Sequence, residues 1–184
     1  METSLGNPFV LVHGAWHGGW CWDRVAPLLR AGGHAVHAPT LTGLSERAHL
    51  LTPRVGLDTH ADDVVGLIDE LGLRDVVLVG HSYAGQVVTA VADRRPHAVA
   101  CKVHLDAFVG DDGEAARDLL PADVARHWAD AAASQGDGWL VPVRSLATLG
   151  VEDPADVAWL TPRLTAHPWR TYTDPLRLTG AVDG

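Results

Sequence analysis

The chain has 184 residues, and its 23 acidic and 14 basic side chains give a formal net charge of −9 at pH 7. This length predicts a single domain with a hydrophobic core, and the acidic balance argues against nucleic acid or an anionic membrane as a partner. Residues 1–5 show no signal-peptide pattern, and no apolar run is long enough to span a membrane. Only Cys21 and Cys101 are present, which predicts no disulfide framework and favours a cytoplasmic location.

Predicted strands and helices alternate through the first part of the chain. In chain order they are a strand over 9–12, a helix over about 20–30, a strand over 34–38, a helix from 58 to about 71, a strand over 76–79, a helix over 86–94 and a strand over 98–105. Asp58 can cap the second helix, in which Val64, Ile68 and Leu71 share one face. This alternation predicts an α/β fold with a mostly parallel sheet, whose ligand site lies at the carboxyl ends of the strands.

The pattern changes after residue 110. Short helices are predicted over 121–134 and 154–160, each beginning at a proline, and tryptophans recur between them. We therefore predict a core over 1–110 and a helical lid or cap over 111–184. The tryptophans are compatible with two roles, as walls of an apolar pocket or as the packing that holds a small subdomain to the core.

A serine lies between the end of a predicted strand and the start of a predicted helix. It is Ser82, in the run VGHSYAG from Val79 to Gly85, with Gly80 and Ala84 two positions away on either side. This spacing is typical of a nucleophile elbow, a turn so tight that only small flanking residues fit, which presents the serine hydroxyl above the sheet. The usual pattern has glycine at the second flank. Because Ala84 adds only a methyl group, we expect a slightly shifted helix and an intact turn.

A glycine-rich loop, HGAWHGGW over residues 13–20, follows the first predicted strand. By itself it is also compatible with a flexible connection, but it lies in the right order before Ser82. Glycines let a loop turn its amides inward, and acyl transfer needs two convergent N–H donors for the developing oxyanion. We assign these donors to the backbone of Ala15 and Tyr83. Four side chains are predicted to line the substrate pocket: His13, Trp16, His17 and Trp128.

These motifs resemble the α/β-hydrolase fold, and within it the small esterases and hydroxynitrile lyases related to plant methylesterases. The resemblance is carried by FVLVHGAWHGGWCW (9–22), APTLTG (38–43) and VLVGHSYAGQV (77–87). It covers residues 9–113 well, and residues 114–184 are only loosely similar to the lid of that branch. It implies a parallel sheet flanked by helices, a helical lid, further strands after the lid and a catalytic histidine in the last loop.

The other members of a catalytic triad are harder to place. In this fold the acid follows the serine and the histidine comes last. Asp106, at the end of the predicted fourth strand, is the candidate acid, and it is equally compatible with a loop-capping role. The implied C-terminal strands are missing, and the last histidine, His167, has no strand before it. Weak candidates for the base are His17, His127 and His167. Histidine pairs such as His34 and His37 lack supporting carboxylates or thiolates, so no metal is expected.

The resulting prediction is a serine hydrolase that cleaves a small, largely apolar carboxylic ester through an acyl-enzyme, without a cofactor. Three explanations of the missing histidine stay open: a fragment of a longer hydrolase, a complete ligand-binding pseudoenzyme or non-hydrolytic enzyme such as a cyclase, and a base supplied by a second chain. A lyase is disfavoured, because the resemblance implies a late lysine and the only lysine is Lys102. A sheet without its last strands exposes an edge, which predicts a homo-oligomer.

Overall fold

The computed structural model describes residues 6–180. The strands in this range are β1 (Gly6–Val12), β2 (His34–His37), β3 (Val76–His81), β4 (Val99–Leu105), β5 (Leu140–Val141) and β6 (His167–Pro168). The α-helices there are α1 (Ala26–Ala31), α2 (Leu57–Glu70), α3 (Ala84–Arg94), α4 (Ala122–Gln135), α5 (Pro154–Leu160) and α6 (Arg170–Thr173). Short 3-10 helices occupy Gly19–Trp22, Ser45–Leu50, Ala116–Leu119 and Leu146–Leu149.

The main sheet has four parallel strands in the order β2-β1-β3-β4. Successive side chains of a strand alternate between the two faces. Val10, Val12 and Leu78 therefore pack in the larger core with α2, α3 and the lid, whereas Leu11 and Val79 pack with α1 on the opposite face. Burial on both faces explains why these strands read as continuous apolar runs. The α/β architecture predicted from the alternation of elements is confirmed.

The register of the strands brings three loops to one edge of the sheet. Val12 lies opposite Gly80, and Gly80 lies opposite His104. The glycine-rich loop after β1, the serine after β3 and the aspartate after β4 consequently leave the sheet side by side. The candidate site lies at this carboxyl edge, where ligands bind in open parallel sheets.

Two predicted helices differ in detail from the structure. The helix predicted over 20–30 is divided into the 3-10 turn Gly19–Trp22 and α1. A continuous helix would need an N–H at Pro27, which proline lacks, so α1 begins just before it. In α2 the residue Leu71 lies beyond the helix end and is 47% exposed, contrary to its predicted place on the buried face.

Asp58 does not cap α2 as predicted. The N-cap is Gly56, and the N–H of Leu57 is bound instead by the carboxylate of Asp174 at 3.2 Å. The Asp58 carboxylate pairs with Arg94 on the neighbouring helix α3. The capping acid thus comes from the lid segment, 117 residues later in the chain, and ties that segment to the core.

Strand β4 forms one edge of the sheet in the part of the chain that the structure describes, and β2 forms the other. Val103 and Leu105 on this strand are 37% and 47% exposed, and Leu28 on α1 is 72% exposed. An uncovered edge strand with apolar side chains is a template for pairing with another chain.

We expect the 184-residue chain to sediment as a dimer or larger species at micromolar concentration. Val103→Lys is expected to shift it toward monomer, because a charge on an edge strand opposes pairing. The matched control is Val143→Lys, since Val143 is a similarly exposed valine at 39% but lies in the lid. A clean wild-type monomer in sedimentation velocity would contradict the prediction.

Candidate active site

Ser82 occupies a strained turn between β3 and α3. Its φ is +54°, in the left-handed region that a non-glycine residue rarely adopts. The turn is held from both sides, because the Ser82 N–H donates to the Leu105 carbonyl at 3.2 Å and the Phe108 N–H donates to the Ser82 carbonyl at 3.1 Å. This backbone strain, supported by the neighbouring strand, is the geometry of a nucleophile elbow.

Two glycines allow the close packing around this turn. A Cβ at Gly80 would lie 2.6 Å from the Ala84 carbonyl oxygen, and one at Gly85 would lie 2.1 Å from the Phe108 carbonyl oxygen. The methyl group of Ala84, which stands where glycine is usual, is fully buried without such a conflict. The second position without room for a side chain is therefore Gly85, one residue later than the usual pattern.

The loop after β1 is organised by His13, which is fully buried. Its Nε2 accepts the Leu41 N–H at 3.0 Å, so its Nδ1–H donates to the Gly14 carbonyl at 2.8 Å. Burial lowers the pKa of His13 to about 3, which keeps the ring neutral. Because the peptide is trans, holding the Gly14 carbonyl directs the Ala15 N–H the opposite way. Among the described residues neither the Ala15 N–H nor the Tyr83 N–H has a hydrogen-bond partner.

A cavity of about 290 Å³ lies above the serine. Its floor is formed by the glycine-rich loop, the elbow and the end of β4: Gly14, Ala15, Trp16, His17, His81, Ser82 and Asp106. Its roof is formed by aliphatic lid residues: Leu146, Leu149, Val151 and Leu160. Ser82 and Ala15 therefore share one cavity under an apolar cover.

Comparison with known proteins identifies the family to which this chain belongs. Residues 9–182 match the model of the alpha/beta hydrolase family. The chain belongs to that family. The carbendazim hydrolyzing esterase of Nocardioides sp. (strain SG-4G) is 43% identical over 180 residues, which cover 94% of this chain and 74% of that protein. Methylesterase 8 of Arabidopsis thaliana is 34% identical over 111 residues, which cover 60% of this chain and 41% of that protein.

Solved structures confirm the predicted fold. An extracellular alpha/beta-hydrolase from a Paenibacillus species, described as sharing structural and functional homology with tobacco salicylic acid binding protein 2, superposes with a TM-score of 0.85 at 24% identity over 96% of this chain and 73% of its own. The pyrethroid hydrolase PytH superposes with a TM-score of 0.68 at 22% identity, covering 96% and 74% of the two chains. At these identities the likeness shows the fold alone.

Of the pocket residues predicted for this alpha/beta hydrolase, Trp16 and His17 line the cavity, but His13 and Trp128 do not. His13 lies behind the loop, because both its ring nitrogens are bound to backbone groups there. Trp128 is 6% exposed and packs edge-on against Trp16, with ring centroids 5.6 Å apart, and against Tyr172 at 5.1 Å. Trp128 was predicted to line the pocket. In the structure it packs behind Trp16 and supports the wall of the pocket from outside.

Asp106, the predicted acid, is exposed at the end of β4 and lines the same cavity as Ser82. It has a φ of +44°, a second left-handed residue at this edge. Burial, followed by the nearby His17, lowers the pKa of the neighbouring His81, and the charge of Asp106 opposes this shift. The structure brings the serine and the aspartate into one cavity, and the role of Asp106 as the acid stays a prediction.

No histidine within residues 6–180 is hydrogen-bonded to the Ser82 hydroxyl. His17 lines the cavity, and its Nδ1–H donates to the Ala15 carbonyl at 2.7 Å. His127 is exposed on α4, and His167 is fully buried behind the loop, so neither lines the cavity. Across the same residues no group of three His, Cys, Asp or Glu side chains is arranged to hold a metal ion, and no helix is long and apolar enough to cross a membrane.

Sequence reasoning missed one buried histidine that supports the elbow. His60 on α2 accepts the Tyr83 hydroxyl at Nδ1, 3.0 Å away, and its Nε2–H donates to the Thr42 carbonyl at 2.9 Å. Burial lowers its pKa to about 4. The signal was present in the helical spacing, because His60 is four residues before Val64 and shares its buried face.

Proposed function

We propose that this alpha/beta hydrolase is a carboxylic ester hydrolase with Ser82 as its nucleophile. The observation that carries the proposal is the strained Ser82, which shares a cavity with Ala15 and is followed in the chain by Tyr83. The N–H groups of Ala15 and Tyr83 have no partner among the described residues. The names of the curated relatives, a carbendazim hydrolyzing esterase and several methylesterases, support the same reaction class. The chain spans 74% of the first relative and about two fifths of the plant proteins.

In the proposed reaction the Ser82 oxygen attacks the ester carbonyl carbon, and a base takes the serine proton. The carbonyl oxygen becomes an oxyanion, for which the N–H groups of Ala15 and Tyr83 are the proposed donors. Loss of one such donor costs about 3 kcal/mol of transition-state stabilisation in known hydrolases. The alcohol leaves with a proton, and water then cleaves the acyl-serine ester to release the acid.

The cavity favours a small, apolar ester. Its volume of about 290 Å³ is at the lower end for ligand pockets. Leu146, Leu149, Val151 and Leu160 give the lid side no charged group with which to bind a polar substrate. We place the acyl or alcohol chain against these residues and the reacting carbonyl against the loop amides.

Asp106 is proposed as the acid that orients the general base, and the identity of the base stays open. No imidazole within residues 6–180 is hydrogen-bonded to Ser82. The same observation favours the second candidate function, a ligand-binding protein that uses this pocket without turnover. A lyase is less well supported, because Lys102 lies within β4 and does not line the cavity.

Labelling with a fluorophosphonate probe, read by intact mass, tests the proposal. Wild type is expected to gain one adduct and Ser82→Ala none. Ser145→Ala is the matched control, because Ser145 is an exposed serine next to the cavity residue Leu146, and it is expected to label like wild type. Absence of labelling in folded wild type would contradict hydrolysis by this chain. Tight binding of an apolar ester without turnover would then support the ligand-binding function.

Location in the cell stays a prediction. Cys21 and Cys101 are both free, which is compatible with the proposed cytoplasmic location. One of the solved relatives is described as extracellular, so membership of the family does not decide the location.

A further inference from the structure

Trp16 joins the glycine-rich loop to the lid. It has a φ of +66°, an unfavourable backbone conformation for a bulky residue, and it is only 6% exposed. Its indole N–H donates to the Val141 carbonyl at 3.2 Å, and its carbonyl accepts the Thr165 N–H at 3.0 Å. Its own N–H donates to Nδ1 of His167 at 3.4 Å. All three partners belong to the lid, so the conformation of the loop depends on a segment 125 to 151 residues later in the chain.

The bonds around His167 define its tautomer. The Thr171 hydroxyl donates its only proton to the Pro168 carbonyl at 2.8 Å. With the proton placed there, the hydroxyl oxygen, 2.8 Å from His167 Nε2, accepts the Nε2–H. This leaves Nδ1 without a proton and free to accept the Trp16 N–H. His167 is fully buried, and burial, followed by the nearby His60, His13 and His17, holds its pKa well below the ordinary value. The neutral tautomer required for the bond is thus maintained.

The hydrogen bond from the Trp16 N–H to His167 fixes one end of the peptide group between Ala15 and Trp16. At the other end of that peptide the Ala15 carbonyl accepts the His17 Nδ1–H at 2.7 Å. The peptide before it, which carries the Ala15 N–H, has its carbonyl held by His13 at 2.8 Å. In the described structure the Trp16 N–H has no acceptor other than His167, and a buried N–H requires one. Without His167 the Ala15–Trp16 peptide keeps only the bond at its carbonyl and is freer to rotate. Because the two peptides share the Cα of Ala15, this rotation strains the bond that holds the Gly14 carbonyl and displaces the Ala15 N–H.

We propose that His167 is a positioning residue of the oxyanion hole, because by accepting the Trp16 N–H it holds the loop in the conformation that aims the Ala15 N–H at the substrate carbonyl. The inference rests on the proposed esterase function for its consequence on rate. Its structural part, the hold on the Trp16 peptide, stands independently of that function. The lid thereby covers the pocket and also acts on the reacting centre through the backbone of the glycine-rich loop.

Two substitutions of His167 separate the hydrogen bond from simple packing. In His167→Asn the side-chain oxygen takes nearly the place of Nδ1 and still accepts the Trp16 N–H, but the smaller side chain leaves a void. In His167→Leu the volume is nearly kept and the acceptor is lost. A role in packing alone predicts that the Asn variant is the more perturbed of the two, whereas a role as an acceptor predicts the opposite order.

The first readout is hydrogen exchange of the amides at residues 14–18. Exchange in the His167→Leu variant is expected to be about tenfold faster or more, and exchange in the His167→Asn variant within about threefold of wild type.

The second readout is the fluorophosphonate reaction at Ser82. The covalent rate is expected to fall about tenfold or more in the Leu variant with little change in the affinity of the initial complex, since the donor acts on the transition state. His49→Asn, an exposed histidine, is the control.

Equal effects of the two substitutions, or a larger effect of Asn in hydrogen exchange, would overturn the inference. If wild type does not label at all, the esterase function fails for this chain, and hydrogen exchange alone decides the hold on Trp16. If His167→Leu does not fold, Thr171→Val replaces it, because it removes the acceptor that fixes the Nε2–H tautomer. Exchange at 14–18 is then expected to rise by about threefold or more, and unchanged exchange would contradict the proposal.

Discussion

Gly85→Ala is expected to lower the free energy of unfolding by more than about 2 kcal/mol. The added methyl group would lie 2.1 Å from the Phe108 carbonyl oxygen, which is backbone and cannot move aside as a flexible side chain can. The Phe108 N–H binds the Ser82 carbonyl, so a shift of this segment also displaces Ser82, the proposed nucleophile. We therefore expect a loss of fluorophosphonate labelling that exceeds the loss of folded protein.

Gly66→Ala is the matched control for this substitution. Gly66 is an exposed residue within α2, and a methyl group there would meet no atom within 4 Å. Alanine in a helix is favoured over glycine by up to about 1 kcal/mol, so this variant is expected to be more stable than wild type. Urea unfolding at neutral pH measures both changes. Equal effects of the two substitutions would show that close packing at Gly85 is not the cause.

The protein is expected to lose stability steeply in acid because three histidines are buried in the neutral form. Burial lowers the pKa of His13 to about 3 and that of His60 to about 4, and it holds the pKa of His167 well below the ordinary value. In the unfolded chain a histidine titrates near pH 6.5. As the pH falls below about 6.5, the unfolded state therefore binds protons that the native state does not, and stability falls.

Each such histidine contributes a slope of about 1.4 kcal/mol per pH unit below its unfolded pKa, until the pH reaches its native pKa. For His13 and His60 the window runs from the ordinary value of 6.5 down to about 3 and about 4, respectively. The free energy of unfolding from urea titrations at pH 8, 6, 5 and 4.5 measures the slope. His167→Asn is expected to reduce the slope by about 1.4 kcal/mol per pH unit, which is the contribution of one proton. A flat profile between pH 6.5 and 4.5 would contradict the prediction.

Local sequence was sufficient for the elbow and for most of the sheet. An apolar run that ends in a small-residue turn and continues into a helix can be accommodated in few ways, and the structure has Ser82 at a φ of +54° at that turn. Local reasoning failed at the helix predicted over 20–30, where Pro27 interrupts the hydrogen bonds. It also failed at the cap of α2, where the N–H of Leu57 is bound by Asp174 from the lid and Asp58 pairs with Arg94 instead.

The sequence by itself determined the α/β class, the order of the strands along the chain and the place of Ser82, because these follow from residues that are neighbours in the chain. Only the tertiary structure decided how the loop after β1 is held, since the partners of Trp16 lie in the lid. It also decided that His13 and Trp128 support the pocket without lining it. The physical reason is that a hydrogen bond to a buried backbone group depends on which atoms folding brings within about 3 Å of it, and separation along the chain does not encode that proximity.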